Sequence, residues 1–214
     1  MLRKVMYAAL ERKLKRAYKD RLAALGPAPK GVFWRNQSTQ IARFDALLDL
    51  VTTVTPAANT SIADIGCGYG AMLEFLQKTP RYQRFHYIGV DINRAMINSC
   101  NQRFPAQKQL FFVGKQPPLT VDFCVFSGTF NLCHTMDTSL WHDYIFANLQ
   151  SCWQRSRYGL VLNLLCAPQT QIKNQIFYAE RQTFIANASR VFGPTHARST
   201  PHATGDVTFL IAKS

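Results

Sequence analysis

The chain has 214 residues, of which 47% are hydrophobic and 17% charged, as expected for a globular protein with one sizeable core and not for a disordered chain. No apolar run approaches the roughly 18 residues that a membrane helix needs, and no signal region opens the sequence, so we expect a cytoplasmic protein. The formal net charge is +13, and six cysteines without a CxxC pair predict reduced thiols instead of a disulfide framework.

The first predicted element is a strongly basic helix over residues 1–25. Its apolar residues recur at every fourth position, and Gly26 and Pro27 end the pattern. Residues 1–43 hold 11 lysines and arginines against two acidic residues, so most of the net charge belongs to this end of the chain. Three interpretations stay open: the helix packs on the domain with a solvated charged face, it binds a nucleic-acid backbone, or it lies on an anionic membrane surface.

An alternation of strands and helices follows a second helix that Ser38 is predicted to cap. The predicted strands cover residues 60–65, 85–91, 109–114, 121–127, 158–166 and 206–212, and the predicted helices cover 70–78, 94–104, 139–154 and 179–192. Several of these strands are apolar almost throughout, as expected when helices cover both faces of a sheet. The pattern predicts an α/β protein with a doubly wound, mostly parallel sheet preceded by N-terminal helices.

The stretch SIADIGCGYGAMLEFL, residues 61–76, places three glycines directly after a strand. Gly66, Gly68 and Gly70 allow the backbone to approach a ligand closely beyond the strand's carboxyl end, where such sheets bind ligands. Asp91 ends the next strand, at the position of a ribose-hydroxyl acceptor in nucleotide-binding units. The spacing GCGYGA differs from the GxGxxG turn that binds a pyrophosphate, which argues against a dinucleotide cofactor.

Three segments, ADIGCGYG, YIGVDIN and DFCVFSGTFN, resemble motifs I, II and IV of the class I S-adenosylmethionine-dependent methyltransferases. The resemblance extends from about residue 60 to the C-terminus and implies a seven-stranded Rossmann-like domain over residues 59–214, with residues 1–58 as a basic helical segment packed on it. A finer resemblance, to a subgroup of bacterial methyltransferases, rests on the segment from Trp34 to Phe44 and on Tyr178 followed by Ala179.

The resemblance implies S-adenosylmethionine as cofactor and assigns roles to matching residues. Asp64 and the glycine turn are expected to hold the methionine part, Asp91 the ribose hydroxyls, and Ile92 one face of the adenine. Many relatives have an acidic residue beside the adenine where this chain has Lys115. The expected cofactor-binding residues are Trp34, Gln40, Arg43, Asp64, Gly66, Cys67, Gly68, Tyr69, Gly70, Asp91, Ile92, Lys115, Gln116, Ser127, Gly128 and Asn131.

Within this set, the residues after the fourth strand are expected to line the methyl-bearing side of the pocket. Trp34 and Gln40 would close the pocket, and Arg43 would either bind the methionine carboxylate or remain a surface charge. No catalytic base and no metal ligands can be assigned from the sequence. Tyr178 and Glu180 are candidates for facing the substrate.

The methyl acceptor is open at this stage. Motif IV reads SGTF and lacks the Asn-Pro-Pro-Tyr sequence of enzymes that methylate exocyclic amines. The leading hypothesis is a small or medium-sized metabolite, because the insertions into the predicted domain are short. The alternatives are an RNA methyltransferase that uses the basic helix for phosphate contacts and, less favoured, an inactive methyltransferase-like binding protein.

Overall fold

The computed structural model describes residues 2–55, 59–200 and 205–213, which form a central sheet between two layers of helices. The helices are α1 (Leu2–Leu25), α2 (Gln37–Val54), α3 (Ala71–Lys78), α4 (Arg94–Arg103), α5 (Thr138–Trp153) and α6 (Arg181–Val191). The strands are β1 (Ser61–Ile65), β2 (His86–Asp91), β3 (Phe111–Val113), β4 (Val121–Phe126), β5 (Ser156–Leu165), β6 (Gln171–Lys173), β7 (Ile176–Tyr178), β8 (Thr195–Ser199) and β9 (Asp206–Ala212).

The main sheet has seven strands in the order β3-β2-β1-β4-β5-β9-β8. Strands β1 to β5 are parallel, whereas β9 runs antiparallel to both β5 and β8. This arrangement confirms the predicted doubly wound, mostly parallel sheet. The strand order reverses between β1 and β4, so the ligand crevice of such a fold lies beyond the carboxyl ends of these two strands.

The sheet is buried on both faces, as its apolar strands predict. One apolar cluster joins the sheet to α1, α5 and α6, and a second joins it to α2, α3 and α4. Residues Ile62 and Ala63 of β1 are both 0% exposed and belong to opposite clusters, because successive side chains of a strand point to opposite faces.

Helix α1 occupies the face of the sheet where the connection from β3 to β4, residues 114–120, contributes no helix. Its Leu10 and Leu14 are buried in the cluster that α5 also joins, and Tyr7 makes an edge-on ring contact with Tyr144 of α5. Cationic residues such as Arg12 remain exposed on the outer side. The helix is therefore packed on the domain, while binding of a nucleic acid or a membrane through it stays a prediction.

Several predictions differ from the structure in detail. The cap of α2 is Asn36, whose Oδ1 accepts the Thr39 backbone N–H at 2.9 Å, so the prediction of Ser38 as cap was wrong. The sequence pattern also missed β8 and the β6–β7 hairpin. Strands β6 and β8 have largely exposed side chains and give no apolar signal, and the apolar strand β7 has only three residues.

Two ends of predicted segments, Met1 and residues 56–58, lie outside the described residues, so the domain boundary predicted at residue 58 is not tested. Among the helices that the structure describes, none combines the length and the apolar composition that a bilayer span requires.

Candidate active site

The turn after β1, residues 66–70, is built on glycine conformations. Gly66, Gly68 and Gly70 have φ angles of 80°, 55° and 80°, a region that residues with a Cβ rarely adopt. A Cβ on Gly66 would lie 2.8 Å from the Thr129 side chain, and one on Gly70 would lie 2.8 Å from Phe104. The three glycines therefore let the turn fold tightly between the loop after β4 and helix α4.

Asp91, at the end of β2, is tied to this turn. Its Oδ2 accepts the backbone N–H of Gly68 at 3.0 Å, and its Oδ1 accepts that of Asn93 at 2.7 Å. The residue is 8% exposed, and burial raises the pKa of its carboxyl from 3.8 to about 6 although both hydrogen bonds oppose the rise. Asp91 thus presents a preoriented carboxylate where the sequence predicted one.

Asp64, in β1, is the second buried acid. The hydroxyl of Tyr87 donates to its Oδ2 at 3.0 Å, and the residue is 2% exposed. Burial raises the pKa of Asp64 to about 7, and the neighbouring Asp91 contributes in the same direction. Two carboxyls held in a poorly solvated place favour a ligand that brings positive charge and hydroxyl donors.

Both acids line one cavity above the carboxyl ends of β1 and β4, which we call the central pocket. It contains about 980 Å³ of empty space, counting the part open to solvent. Twelve of the predicted cofactor-binding residues line it: Trp34, Gln40, Asp64, Gly66, Cys67, Gly68, Tyr69, Asp91, Ile92, Lys115, Ser127 and Gly128.

Four of the predicted residues, Gly70, Gln116, Asn131 and Arg43, are not in that lining. Gly70 is the N-cap residue just before helix α3, and the side-chain oxygen of Asn131 accepts the backbone N–H of Leu165 at 3.1 Å. Arg43 forms a buried ion pair with Asp206 instead of presenting a free guanidinium. A cofactor contact from any of these four is not tested by the structure and stays a prediction.

Glu180, a candidate for facing the substrate, caps a helix. Its carboxylate accepts the backbone N–H groups of Gln182 and Thr183 at the start of α6. Hydrogen bonding to these groups and to the Thr183 side chain lowers the pKa of Glu180. The structure therefore gives this residue a structural role.

The pocket also contains residues that the sequence did not single out. They are Leu14, Lys15 and Tyr18 of α1, Val32, Phe44, Ile65, Ala71, Asn93, Thr129, Phe130, Tyr144 and Asn148. The apolar stripe of α1 predicted that this helix packs on the domain. The stripe does not reveal which face of the sheet the helix covers, so it did not place Leu14, Lys15 and Tyr18 in the pocket. The α5 residues Tyr144 and Asn148 gave no signal, because they lie far along the chain from every motif.

The chemistry of the lining fits S-adenosylmethionine. The ligand is cationic and carries ribose hydroxyls, and the two buried acids, Asp64 and Asp91, can accept hydrogen bonds from such groups. The hydroxyl oxygen of Ser127 is buried without a hydrogen-bond partner, and the Gln40 side-chain oxygen accepts the Tyr69 hydroxyl at 2.8 Å, which leaves the Gln40 amide to donate. Unpaired polar groups of this kind mark the wall of a polar ligand site.

Comparison with known proteins agrees with this chemistry. Residues 62–154, which contain the glycine turn and Asp91, match the family model described as a methyltransferase domain. These findings support a class I S-adenosylmethionine-dependent methyltransferase. This methyltransferase uses S-adenosylmethionine as its cofactor.

One related sequence and two solved structures illustrate the degree of similarity. A protein of Mycobacterium tuberculosis (strain ATCC 25618 / H37Rv), named "Putative methyltransferase Rv1506c", is 27% identical over 165 residues, which span 75% of this chain and 98% of that protein. The fold is similar to that of CalS10, an amino pentose methyltransferase from Micromonospora echinaspora, with a TM-score of 0.59 at 15% identity over 82% of this chain and 92% of the other. DesVI of Streptomyces venezuelae has the same TM-score at 13% identity, over 81% of this chain and 92% of its own.

Proposed function

We propose that the enzyme transfers the methyl group of S-adenosylmethionine to a small or medium-sized metabolite. The observation that carries this proposal is the cover over the central pocket. Helix α1 lays Leu14, Lys15 and Tyr18 across the pocket, and Trp34 adds to its lining from the following segment. A cavity covered by the chain itself fits a compact acceptor better than a folded polymer. CalS10, with a similar fold, is described as acting on an amino pentose, which supports the same class.

The proposed roles of the cofactor-binding residues follow from their places in the pocket. Asp91 would accept hydrogen bonds from the ribose hydroxyls, and Asp64 would interact with the methionine ammonium, directly or through water. The backbone of residues 66–70 would follow the methionine part, with Gln40 as a donor to its carboxylate. Ser127 and Gly128, which follow β4, would line the side where the methyl group is presented.

The chemistry requires little of the protein beyond placement. When bound, S-adenosylmethionine supplies a methyl group already activated by the sulfonium centre. The chain's part is to align an acceptor with that group and to exclude water, which Trp34, Phe44 and Phe130 can do as apolar lining residues. A general base is needed only for an acceptor that must lose a proton, and we assign none.

The experiment that tests the acceptor class uses S-adenosylmethionine carrying a radiolabelled methyl group. The purified enzyme is incubated with a small-molecule extract and, separately, with total RNA. Label transferred to an extract component below about 1 kDa, and not to RNA, is the expected result. Label in RNA alone would contradict the proposal.

The RNA alternative is favoured by one specific observation. Lys4, Arg12, Lys13 and Lys19 are exposed on α1 and form no ion pair with an acidic side chain within the described residues. If they bind RNA phosphates, the logarithm of the affinity for RNA falls with the logarithm of the salt concentration, with a slope of about 0.7–0.9 per phosphate contact. The double variant Arg12→Gln, Lys13→Gln should then show a smaller slope. If they bind an anionic membrane instead, the same variant loses binding to vesicles containing phosphatidylserine.

Two further proposals concern the cellular compartment and the domain boundaries of the protein. All six cysteines are free thiols, five of them buried, which fits a reducing compartment such as the cytoplasm. We also propose that residues 1–58 form a basic helical segment packed on a methyltransferase domain of residues 59–214, because Leu10 and Leu14 share its core.

A further inference from the structure

A group of polar side chains from three separate elements meets at one end of the central pocket. We call Glu11 of α1, Lys115 of the β3–β4 connection, and Tyr144 and Asn148 of α5 the basal polar cluster. The Lys115 Nζ lies 2.5 Å from Glu11 Oε1, and the Asn148 Nδ2 donates to the Tyr144 backbone carbonyl at 2.7 Å. Three of the four line the pocket, and Glu11 lies behind Lys115 with 7% exposure.

The hydrogen-bonding capacity of the cluster is only partly used. The amide nitrogen of Asn148 donates to the Tyr144 backbone carbonyl and also to the Tyr144 hydroxyl, which is hydrogen-bonded to Glu11 as well. The side-chain oxygen of Asn148, by contrast, has no partner among the contacts of the described residues. Lys115 would bring a positive charge to this end of the pocket, but Glu11 neutralises it. The cluster therefore offers the pocket a neutral acceptor oxygen beside a restrained cation.

The position of the cluster relates it to one part of the cofactor. Asp91 marks the ribose, and the glycine turn with Asp64 marks the methionine part, so the base must extend from the ribose away from residues 66–70. Gly114 and Lys115, from the connection after the edge strand β3, line the pocket on that side, and Ile92 and Leu14 supply apolar surface for the ring faces. An acceptor oxygen at this end meets the edge of the base, and the 6-amino group is the donor that adenine presents there.

We propose that Asn148 determines specificity for adenine by accepting a hydrogen bond from its 6-amino group, and that Glu11 is a positioning residue that restrains Lys115. The proposal rests on the cofactor orientation proposed above and does not depend on the methyl acceptor. It explains how a lysine is accommodated beside the base: the cation is turned to an acid from α1, and the acceptor is supplied by α5.

Calorimetric titration with two demethylated ligands tests the role of Asn148. S-Adenosylhomocysteine carries the 6-amino group, and S-inosylhomocysteine carries an oxygen in its place. We expect the wild-type protein to prefer the adenine compound by roughly tenfold, the effect of about one hydrogen bond to a buried group. Asn148→Ala should weaken binding of the adenine compound by a similar factor and leave the inosine compound unchanged, so that the preference disappears.

The controls separate recognition from folding. Gln150→Ala changes an exposed residue of the same helix and should alter neither affinity. Alanine is the best helix former, so Asn148→Ala should fold, and Asn148→Ser serves as a second variant if thermal unfolding shows otherwise. An equal loss for both ligands in Asn148→Ala, or a wild type without preference, would overturn the proposal. Failure of both ligands to bind the wild type would instead contradict the proposed cofactor orientation.

A pair of variants tests Glu11. Glu11→Gln should weaken binding of S-adenosylhomocysteine, because the released Lys115 ammonium approaches the base. Glu11→Gln combined with Lys115→Met should restore the affinity, since the cation is then absent. An affinity that stays low in the double variant would show that Glu11 only supports the packing of α1.

Discussion

The guanidinium carbon of Arg43 lies 4.6 Å from the centroid of the Trp34 ring, which forms part of the wall of the central pocket. Arg43 also pairs with Asp206 at the start of β9, where only 1% of the aspartate side chain is exposed. Asp206 in turn accepts the Asn163 amide at 3.2 Å, and the Asn163 oxygen accepts the backbone N–H of Gly128 at 2.7 Å. One buried carboxylate thus connects two parts of the pocket wall, Trp34 through Arg43 and Gly128 through Asn163, to the start of β9.

Asp206→Asn should be strongly destabilising, because it leaves the Arg43 charge buried without its counter-ion. We expect the free energy of unfolding to fall by about 3–5 kcal/mol. Asp206→Asn combined with Arg43→Met should recover most of that loss, since no unpaired charge remains. Urea denaturation measures both. Asp49→Asn, in the exposed Arg198–Asp49 pair, is the matched control and should cost less than about 1 kcal/mol. Equal losses at the two sites would contradict this account.

Asp91→Asn should weaken cofactor binding while the fold is retained. The amide keeps the size of the carboxylate but replaces one acceptor oxygen by a donor and removes the charge. Hydrogen bonds to charged groups contribute about 1.5–3 kcal/mol, so we expect affinity for S-adenosylhomocysteine to fall roughly 10- to 100-fold in calorimetry. Asp122→Asn, at the amino end of β4 and bonded to Ser61, should leave the affinity unchanged. An unaltered affinity in Asp91→Asn would exclude Asp91 as the ribose ligand.

Stability of the cofactor-free protein should depend on pH through the two buried acids. Burial raises the pKa of Asp64 to about 7 and that of Asp91 to about 6, whereas in the unfolded chain both return to near 3.8. Between pH 4 and pH 7 the folded protein therefore holds protons that the unfolded chain has released, and this contribution to stability is lost as pH rises through the folded pKa values. The free energy of unfolding, measured by urea denaturation, should fall less between pH 5 and pH 7 in Asp64→Asn than in the wild type. The same fall in both proteins would contradict a raised pKa for Asp64.

Gly66→Ala should destabilise the turn after β1. The residue has a φ of 80°, and its Cβ would lie 2.8 Å from the Thr129 side chain, so strain and overlap act together. We expect a loss of at least about 1–2 kcal/mol in the free energy of unfolding. Gly114→Ala is the control, because a Cβ there would have no neighbour closer than 3.6 Å and the backbone is not in the positive region. A similar cost at both positions would show that the conformation of residue 66 is not what requires glycine.

Leu14→Ala should affect both stability and cofactor binding. Leu14 is 7% exposed, belongs to the cluster shared with α5 and lines the central pocket. Truncation of a buried leucine costs about 2–5 kcal/mol, and a weaker cover should also lower affinity for S-adenosylhomocysteine. Val5→Ala, at a position of the same helix that is 61% exposed, should change neither quantity. Thermal unfolding measures the stability, and calorimetry measures the affinity for S-adenosylhomocysteine. A Leu14→Ala protein as stable as the wild type would mean that α1 is not part of the core.

The sequence was informative where chemistry depends on local spacing. The glycine turn and Asp91 lie within a single βαβ unit, so their arrangement followed from the order of residues, and the alternation of apolar segments predicted the parallel sheet. Arg43 illustrates the limit. Its partner, Asp206, lies near the other end of the chain, and no pattern in either segment indicates that the two meet in a buried pair.

The same limit applies to the cover of the pocket. The apolar stripe of α1 predicted a packed helix, but its place on the sheet depends on the missing helix between β3 and β4. Asn148 and Tyr144 became pocket residues only because α5 lies beside that space. Such placements arise from how separate elements fill a shared volume, which a one-dimensional pattern does not encode.

The position of α1 has a consequence for biosynthesis. Helix α1 is synthesised before α5, yet the surface that buries Leu10 and Leu14 includes α5 and is complete only after α5 has been made. During that interval its apolar stripe has no native partner, and contacts between distant segments form late in folding. The basic outer face then keeps the nascent helix hydrated and repels other copies of itself until the domain closes over it.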